Sequence, residues 1–376
     1  MAGLYLHIPF CRRKCPYCDF YSEVACDAAT QEYPDLLKRH LAWATEQGWS
    51  GPVDSIYFGG GTPSLLTPAA IADILQAVKQ TLGQTTEAEI TIEANPGTVS
   101  QQSLTGYRRA GVNRLSFGLQ SCNDNHLVHL GRLHDRQEGL NAFHWARSAG
   151  FDNISLDLMF SLPGQTTAEL EEDLRSYLEL APEHLSCYGL TAEPETPFQQ
   201  QLAAGTLSLP DEEFYADAFM LVHEQLTSAG YEHYEIANYA RDGYTSRHNL
   251  GYWQRRPYLG IGAGAHSFQN LQWGSRWEVA ADLAAYRQAL HDQQEPMTCL
   301  ETFDRKSALS ETIYLALRTS QGITDAELQD RFGCTLREAF PEAVTASRQW
   351  LVNDDGRWTL TPPGWLLFDR LILPFL

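Results

Sequence analysis

The sequence predicts an α/β protein: an incomplete (β/α)6 barrel over residues 1–210, an extended αβ region over 211–302, and a small winged-helix-like domain over 303–376. Three observations lead there. Six short β-rich runs alternate with longer segments of helical spacing through the first half, the pattern of βα units around a parallel sheet. Residues of chemical character fall at the ends of those runs, on what would be one rim. At Pro210 the alternation gives way to a long helical segment and then to a Tyr- and Gly-rich stretch.

Leu4–Ile8 reads as the first strand. Val53–Phe58 is the second and runs into Gly59-Gly60-Gly61; Thr67 and Pro68 then form an N-cap and first-position pair for a helix reaching about Leu82. Glu89–Glu93, Arg114–Leu119, Ile154–Met159 and His184–Leu190 supply four more strands, and segments such as Ala168–Leu180 carry the 3.6-residue period. A long helix is expected over Asp211–Ala229. After Phe303, helical segments at Ala308–Thr319, Asp325–Phe332 and Leu336–Trp350, the strand Arg357–Leu360 and a terminal apolar helix give the winged-helix pattern.

Composition narrows the function classes. Against 27 basic side chains stand 47 acidic ones, a net charge of −20, which repels a phosphate backbone and argues against nucleic acid as a partner. No run reaches the roughly 18 apolar residues of a membrane span. Met1–Phe10 lacks the basic start and long apolar run of a signal peptide, so a cytoplasmic location is expected. In that reducing compartment eight cysteines call for a reason other than disulfides.

Cys11, Cys15 and Cys18 are separated by three and then two residues, a loop short enough to bring three thiolates to one metal centre. Structural zinc would take four N or S ligands, and His7 is a conceivable fourth. A cubane iron–sulfur cluster normally takes four cysteines; with three, one iron keeps an open position. Cys26, Cys122, Cys187, Cys299 and Cys334 are scattered and read as packing residues.

The spacing, together with Leu4-Tyr5-Leu6-His7-Ile8-Pro9-Phe10-Cys11 and Cys15-Pro16-Tyr17-Cys18-Asp19-Phe20, resembles the radical S-adenosylmethionine (SAM) superfamily and, within it, the oxygen-independent coproporphyrinogen III oxidase family. The nearest likeness is to its HemW-type haem chaperones, from about Tyr5 to the winged-helix-like end. The resemblance implies that Cys11, Cys15 and Cys18 hold a [4Fe–4S] cluster whose fourth iron is chelated by SAM, and that reduction cleaves SAM to methionine and a 5′-deoxyadenosyl radical. It also implies SAM contacts from Tyr5, Tyr17, Gly60, Gly61, Thr62, Glu93, Gln120, Arg132 and Asp157. Taken alone, the triple glycine is a turn that lets backbone approach a ligand. Glu93 is a charge at the end of an apolar strand that needs a partner.

Two features bear on the reaction. The oxidases of this family carry a fourth cysteine two residues after the third, where this chain has Phe20, which puts propionate decarboxylation in doubt. His248-Asn249-Leu250-Gly251-Tyr252-Trp253 resembles the H-N-x-x-Y-W segment linked to haem binding in HemW-type proteins, making His248 a candidate axial ligand, with aromatic neighbours to stack on the macrocycle. The sequence therefore points to a protein that binds haem and passes it to an acceptor apoprotein, with peripheral membrane contact left open. A coproporphyrinogen III oxidase, a haem-modifying radical SAM enzyme and a zinc-stabilised interaction protein are the competing readings.

Overall fold

The computed structural model describes residues 3–376. The six expected strands are β1 (Gly3–Ile8), β2 (Val53–Gly60), β3 (Gln84–Ala94), β4 (Arg114–Gln120), β5 (Ile154–Phe160) and β6 (His184–Gly189), parallel neighbours in that order. Helices α1 (Asp27–Glu46), α2 (Pro68–Thr81), α3 (Gln101–Ala110), α4 (Arg136–Ser148) and α5 (Thr167–Leu180) make the crossovers. Their starts follow from the sequence: the Thr67 side chain accepts from Ala70 N–H behind Pro68, and Thr166 and Glu169 close a capping box that opens α5.

The strands separate two environments by strict alternation. Leu4, Leu6, Ile8, Ile56, Phe58, Ile90, Ile92, Leu115, Phe117, Ile154, Leu156 and Leu185 are buried in the main apolar core. The opposite face carries Tyr5 and His7 on β1, Ser55 and Tyr57 on β2, Glu89, Thr91 and Glu93 on β3, Arg114 and Ser116 on β4, Ser155 and Asp157 on β5, and His184 and Ser186 on β6. Register puts Thr91 beside Arg114, Glu93 beside Ser116 and Asp157 beside Ser186. The inside of the curl is therefore polar, the reverse of the branched apolar layers that fill a closed barrel.

The region 211–302 extends the same sheet at both ends. After the expected long helix, α6 (Glu212–Ser228), strands β7 (Glu232–Glu235) and β8 (Asn238–Ala240) add antiparallel beyond β6. Helix α7 (Arg247–Trp253) leads to β9 (Tyr258–Ile261), which returns to lie parallel beside β1, so the curved wall has seven parallel strands rather than six. Strands β10 (His266–Gln269), β11 (Ser275–Val279) and β12 (Met297–Thr302) continue antiparallel, giving an open sheet of 12 strands with β12 and β7 at its edges.

The C-terminal region places α8 (Arg305–Ala316) and several short helices around a three-stranded sheet of Ile323–Thr324, Arg357–Leu360 and Leu351–Asp354. The single helix expected over Leu336–Trp350 is two, Leu336–Ala339 and Pro341–Ala346, because Pro341 has no N–H to carry the first one on. The terminal apolar helix is likewise divided, into Pro362–Leu366 and Phe368–Leu371. Glu311 on α8 binds both Arg255 and Arg276, tying this region to the sheet extension. No helix among the described residues is long and apolar enough to cross a membrane.

Candidate functional site

A cavity of about 540 Å³ opens at the C-terminal ends of the parallel strands. Eleven of the thirteen residues singled out from the sequence line it: Cys11, Cys15, Cys18, Tyr17, Gly60, Gly61, Thr62, Glu93, Gln120, Arg132 and Asp157. Tyr5 and His248 do not.

The cysteine loop leaves β1 and is stitched back on itself, since Phe10–Cys11 pairs with Glu23–Val24 and Cys18 N–H donates to the Cys15 carbonyl (3.2 Å). Two side chains aim donors at its sulfurs. The Thr62 hydroxyl lies 3.6 Å from Cys11 Sγ and Arg132 Nη1 lies 3.7 Å from Cys15 Sγ. Asn95 joins them: its Nδ2 donates to Thr62 Oγ1 (2.9 Å), its Oδ1 accepts from Arg132, and Arg132 also donates to the Gly118 carbonyl (2.7 Å). Donors of this kind fit sulfur that carries negative charge, as in a cluster ligand. His7 is not available as a fourth ligand, because its ring nitrogens meet Tyr5 Oη (3.1 Å) and the Tyr21 carbonyl (2.9 Å). Among the described residues no three Cys, His, Asp or Glu side chains converge on a point that one metal ion could occupy. A cubane places each cysteine on a different iron and so does not require the three sulfurs to converge on one point.

The glycines are where backbone closeness is required. Gly60 has φ +111°, and its N–H donates to Glu93 Oε2 (3.2 Å). A Cβ on Gly61 would stand 2.7 Å from the Phe10 carbonyl oxygen and 3.0 Å from Cys11 Sγ. The first of those is a backbone atom and cannot swing aside. Gly61→Ala is therefore expected to cost about 1–3 kcal/mol and to lower the iron retained after reconstitution. Thermal unfolding and an iron assay check this, and wild-type values in both would show that the loop tolerates displacement.

Deeper in the cavity stand two half-buried carboxylates. Glu93 accepts from Tyr57 Oη (2.8 Å) as well as from Gly60, and burial pushes it up to about 7 despite those bonds. Asp157 accepts from the Ser116 hydroxyl (3.2 Å), and burial pushes it up to about 6. Gln120 leaves β4 at φ +72° and accepts from Tyr188 Oη (3.1 Å). A non-glycine residue in the left-handed region at this rim is local strain of the kind found at binding sites. Tyr17 packs beside Leu130, Met159, Leu162, Leu190 and Phe198 on the cavity wall.

Tyr5 lies behind this layer, its ring near those of Tyr57 and His248, and a Cβ on Gly59 would come within 2.8 Å of it. His248 is on α7, which seals the opposite end of the curl. Its Nδ1 pairs with Ser55 Oγ (2.9 Å), its Nε2 with Tyr252 Oη (2.7 Å), and its ring stacks on Tyr57. Glu89 caps the helix, accepting from the N–H groups of Arg247 and His248, both at 3.1 Å. Burial holds this histidine down to about 3, so it stays neutral. Trp253 lies under the Arg318 guanidinium. The residue of this segment that does line the cavity is Asn249. Sequence reasoning missed it, along with Asn95, Tyr57, Tyr188 and Asn238. Two had a local signal: Asn95 is an amide two residues after Glu93 and immediately before Pro96, and Asn249 is the second residue of the His248–Trp253 segment.

An open, curled parallel sheet with a three-cysteine loop on its C-terminal rim defines a radical SAM protein. Residues 5–176 match the Radical SAM superfamily and residues 303–367 the HemN C-terminal domain. Among solved structures, coproporphyrinogen III oxidase (HemN) from Escherichia coli shares the fold, with a TM-score of 0.85 at 22% identity, covering 100% of this chain and 89% of that one. The "Heme chaperone HemW" of Bacillus subtilis (strain 168) is 33% identical over 100% of this chain and 99% of its own length. That of Escherichia coli (strain K12) is 46% identical over 70% of this chain and 69% of its own. The chain belongs to the HemW family.

Proposed function

We propose that this chain is a haem chaperone of the radical SAM type, which holds a [4Fe–4S] cluster on Cys11, Cys15 and Cys18, takes SAM as an exchangeable ligand, binds haem and passes it to an acceptor protein. The observation that carries this reading is the opening of three cysteines, with donors aimed at two of their sulfurs, onto one large cavity in a chain of the HemW family. When bound, cluster and SAM supply one-electron reductive chemistry. The chain's own part is to hold and shield. Thr62 and Arg132 stabilise charge on the sulfurs, and Gly60 and Gly61 let backbone reach the methionine end of SAM. Glu93 and Asp157 accept from hydroxyl and ammonium donors, Gln120 supplies an amide, and Tyr17 supplies an aromatic wall. Tyr5 supports Tyr57 from behind.

Phe20 at the position of the oxidases' fourth cysteine separates this reading from porphyrinogen oxidation. Anaerobically reconstituted, reduced protein incubated with coproporphyrinogen III and SAM is expected to leave the porphyrinogen unchanged, while binding one haem per chain by Soret titration. Vinyl products in the first assay would make the chain an oxidase. Absence of stoichiometric haem binding in the second would remove the chaperone reading.

A further inference from the structure

The lip of the cavity carries side chains that cluster and SAM leave unused. Arg12, Arg13 and Lys14 all line it and all are exposed. Some exposed cations of this chain meet a carboxylate, as Arg175 and Arg247 do. Among the described residues these three do not. Arg12 is instead held by the Gly97 carbonyl (2.7 Å), and Arg13 by the carbonyls of Gly131 and Arg132 (3.2 Å to the latter). A carbonyl orients a guanidinium without neutralising it. The result is a lip with two guanidiniums held in place beside Lys14, against which the same loop sets one exposed carboxylate, Asp19.

Two large apolar side chains share that lip. Phe20 is 66% exposed and Leu133 is 55% exposed, and both line the same cavity. Singly, an exposed apolar residue needs no explanation. Here Leu133 directly follows the two carbonyls that hold Arg13, and Phe20 lies on the cysteine loop that carries the cations, so apolar surface and unpaired charge occupy one edge. A ligand matching both is flat and apolar with anionic groups on its rim. SAM offers one carboxylate and no broad apolar face; a porphyrin dicarboxylate offers both features.

We infer that haem docks on this lip, its macrocycle against Phe20 and Leu133 and its propionates on Arg12, Arg13 and Lys14. The inference rests on the haem-chaperone reading and gives it a site at the cavity mouth, away from His248 on the sealed floor. Charge and apolar contact then contribute separately, each removable by one substitution.

The test is Soret titration of the reconstituted holo-protein and of Lys14→Glu and Leu133→Asp, with iron and sulfide measured on each. Each variant is expected to bind haem about tenfold more weakly or worse. The Leu133 side chain is exposed and, unlike that of its neighbour Arg132, donates to no cysteine, so that variant should keep its full cluster and decide the matter even where Lys14→Glu disturbs the neighbouring Cys15. Metal-free protoporphyrin IX should compete with haem, and its dimethyl ester should not. Wild-type affinity in Leu133→Asp, or equal competition by the ester, overturns the lip site while leaving the chaperone reading in place. Loss of haem binding in His248→Gln with undiminished binding in both lip variants likewise overturns it and moves the site to the floor. Failure of the wild type itself to bind haem overturns both.

Discussion

Cys11→Ala, Cys15→Ala and Cys18→Ala are each expected to lose nearly all iron and sulfide on anaerobic reconstitution, a fall of about tenfold or more, together with the broad visible absorption of the cluster. A cubane held by three thiolates has no spare protein ligand, so removing one leaves two adjacent irons open. The remaining thiols offer no replacement. Cys122 and Cys187 are buried, Cys26 and Cys299 are exposed, Cys334 is intermediate, and none of the five lines the cavity. Cys122 is pushed up to about 12 by its burial and the neighbouring Asp173 carboxylate, which disfavours the thiolate that ligation requires. Cys26→Ala, eight residues past Cys18, is the matched comparison and should reconstitute fully. Iron and sulfide assays read the result directly. Full retention in Cys15→Ala would mean that the centre is not held by this trio.

That trio stands out in the sequence because its three cysteines fall within eight residues of one loop. The rim was legible for a related reason. When each strand alternates apolar with polar and ends in a glycine or a charge, its end marks its place on the rim, and parallel neighbours place all the ends on one side. Glu93, Gln120 and Asp157 were reached that way, together with the family resemblance. Asn95 was not, because its role exists only where Thr62 and Arg132 arrive from two other loops. The extension was obscure for a different reason. Strand β9 has four residues and pairs with β1 from more than 250 positions away, so no local period announces it.

His248 shows the limit most plainly. The linear string His248-Asn249-x-x-Tyr252-Trp253 places a histidine among aromatics, as a haem site does. On a helix, however, residues four apart share a face, and here that face is turned inward, where His248 and Tyr252 bond to each other. Asn249, one position on and about 100° around the helix, is the residue that lines the cavity. Which face of a seven-residue helix meets a cavity depends on where the helix docks, and Glu89 on β3 fixes that by accepting its first N–H groups.

Arg114 is expected to support the fold at high pH and not at low pH. It is 1% exposed, its Nε has no partner among the described residues, and it lies on the polar inner face with Glu93 and Asp157. Burial raises both carboxylates, to about 7 and about 6, and Arg114 pulls both down. A carboxylate with a raised folded pKa contributes its full stability below the ordinary carboxylate range, and that contribution is lost as pH climbs through its folded value. For Glu93 the window runs from 4.5 to about 7, and for Asp157 from 3.8 to about 6. Arg114→Met lifts both folded values further, so the variant loses more stability than the wild type as pH rises. His184 and His248 act in the same sense. Burial, and after it the Arg114 charge, lowers both, so removing the cation relieves them in acid. At pH 5, with the carboxylates largely neutral, the buried guanidinium has little to pair with, and methionine should cost no more than about 1 kcal/mol. At pH 8 the variant leaves both carboxylates ionised without that charge, and a loss of about 2 kcal/mol is expected. Urea unfolding of SAM-free wild type and variant at the two pH values reads the difference, and an equal loss at both would mean that Arg114 acts through packing alone.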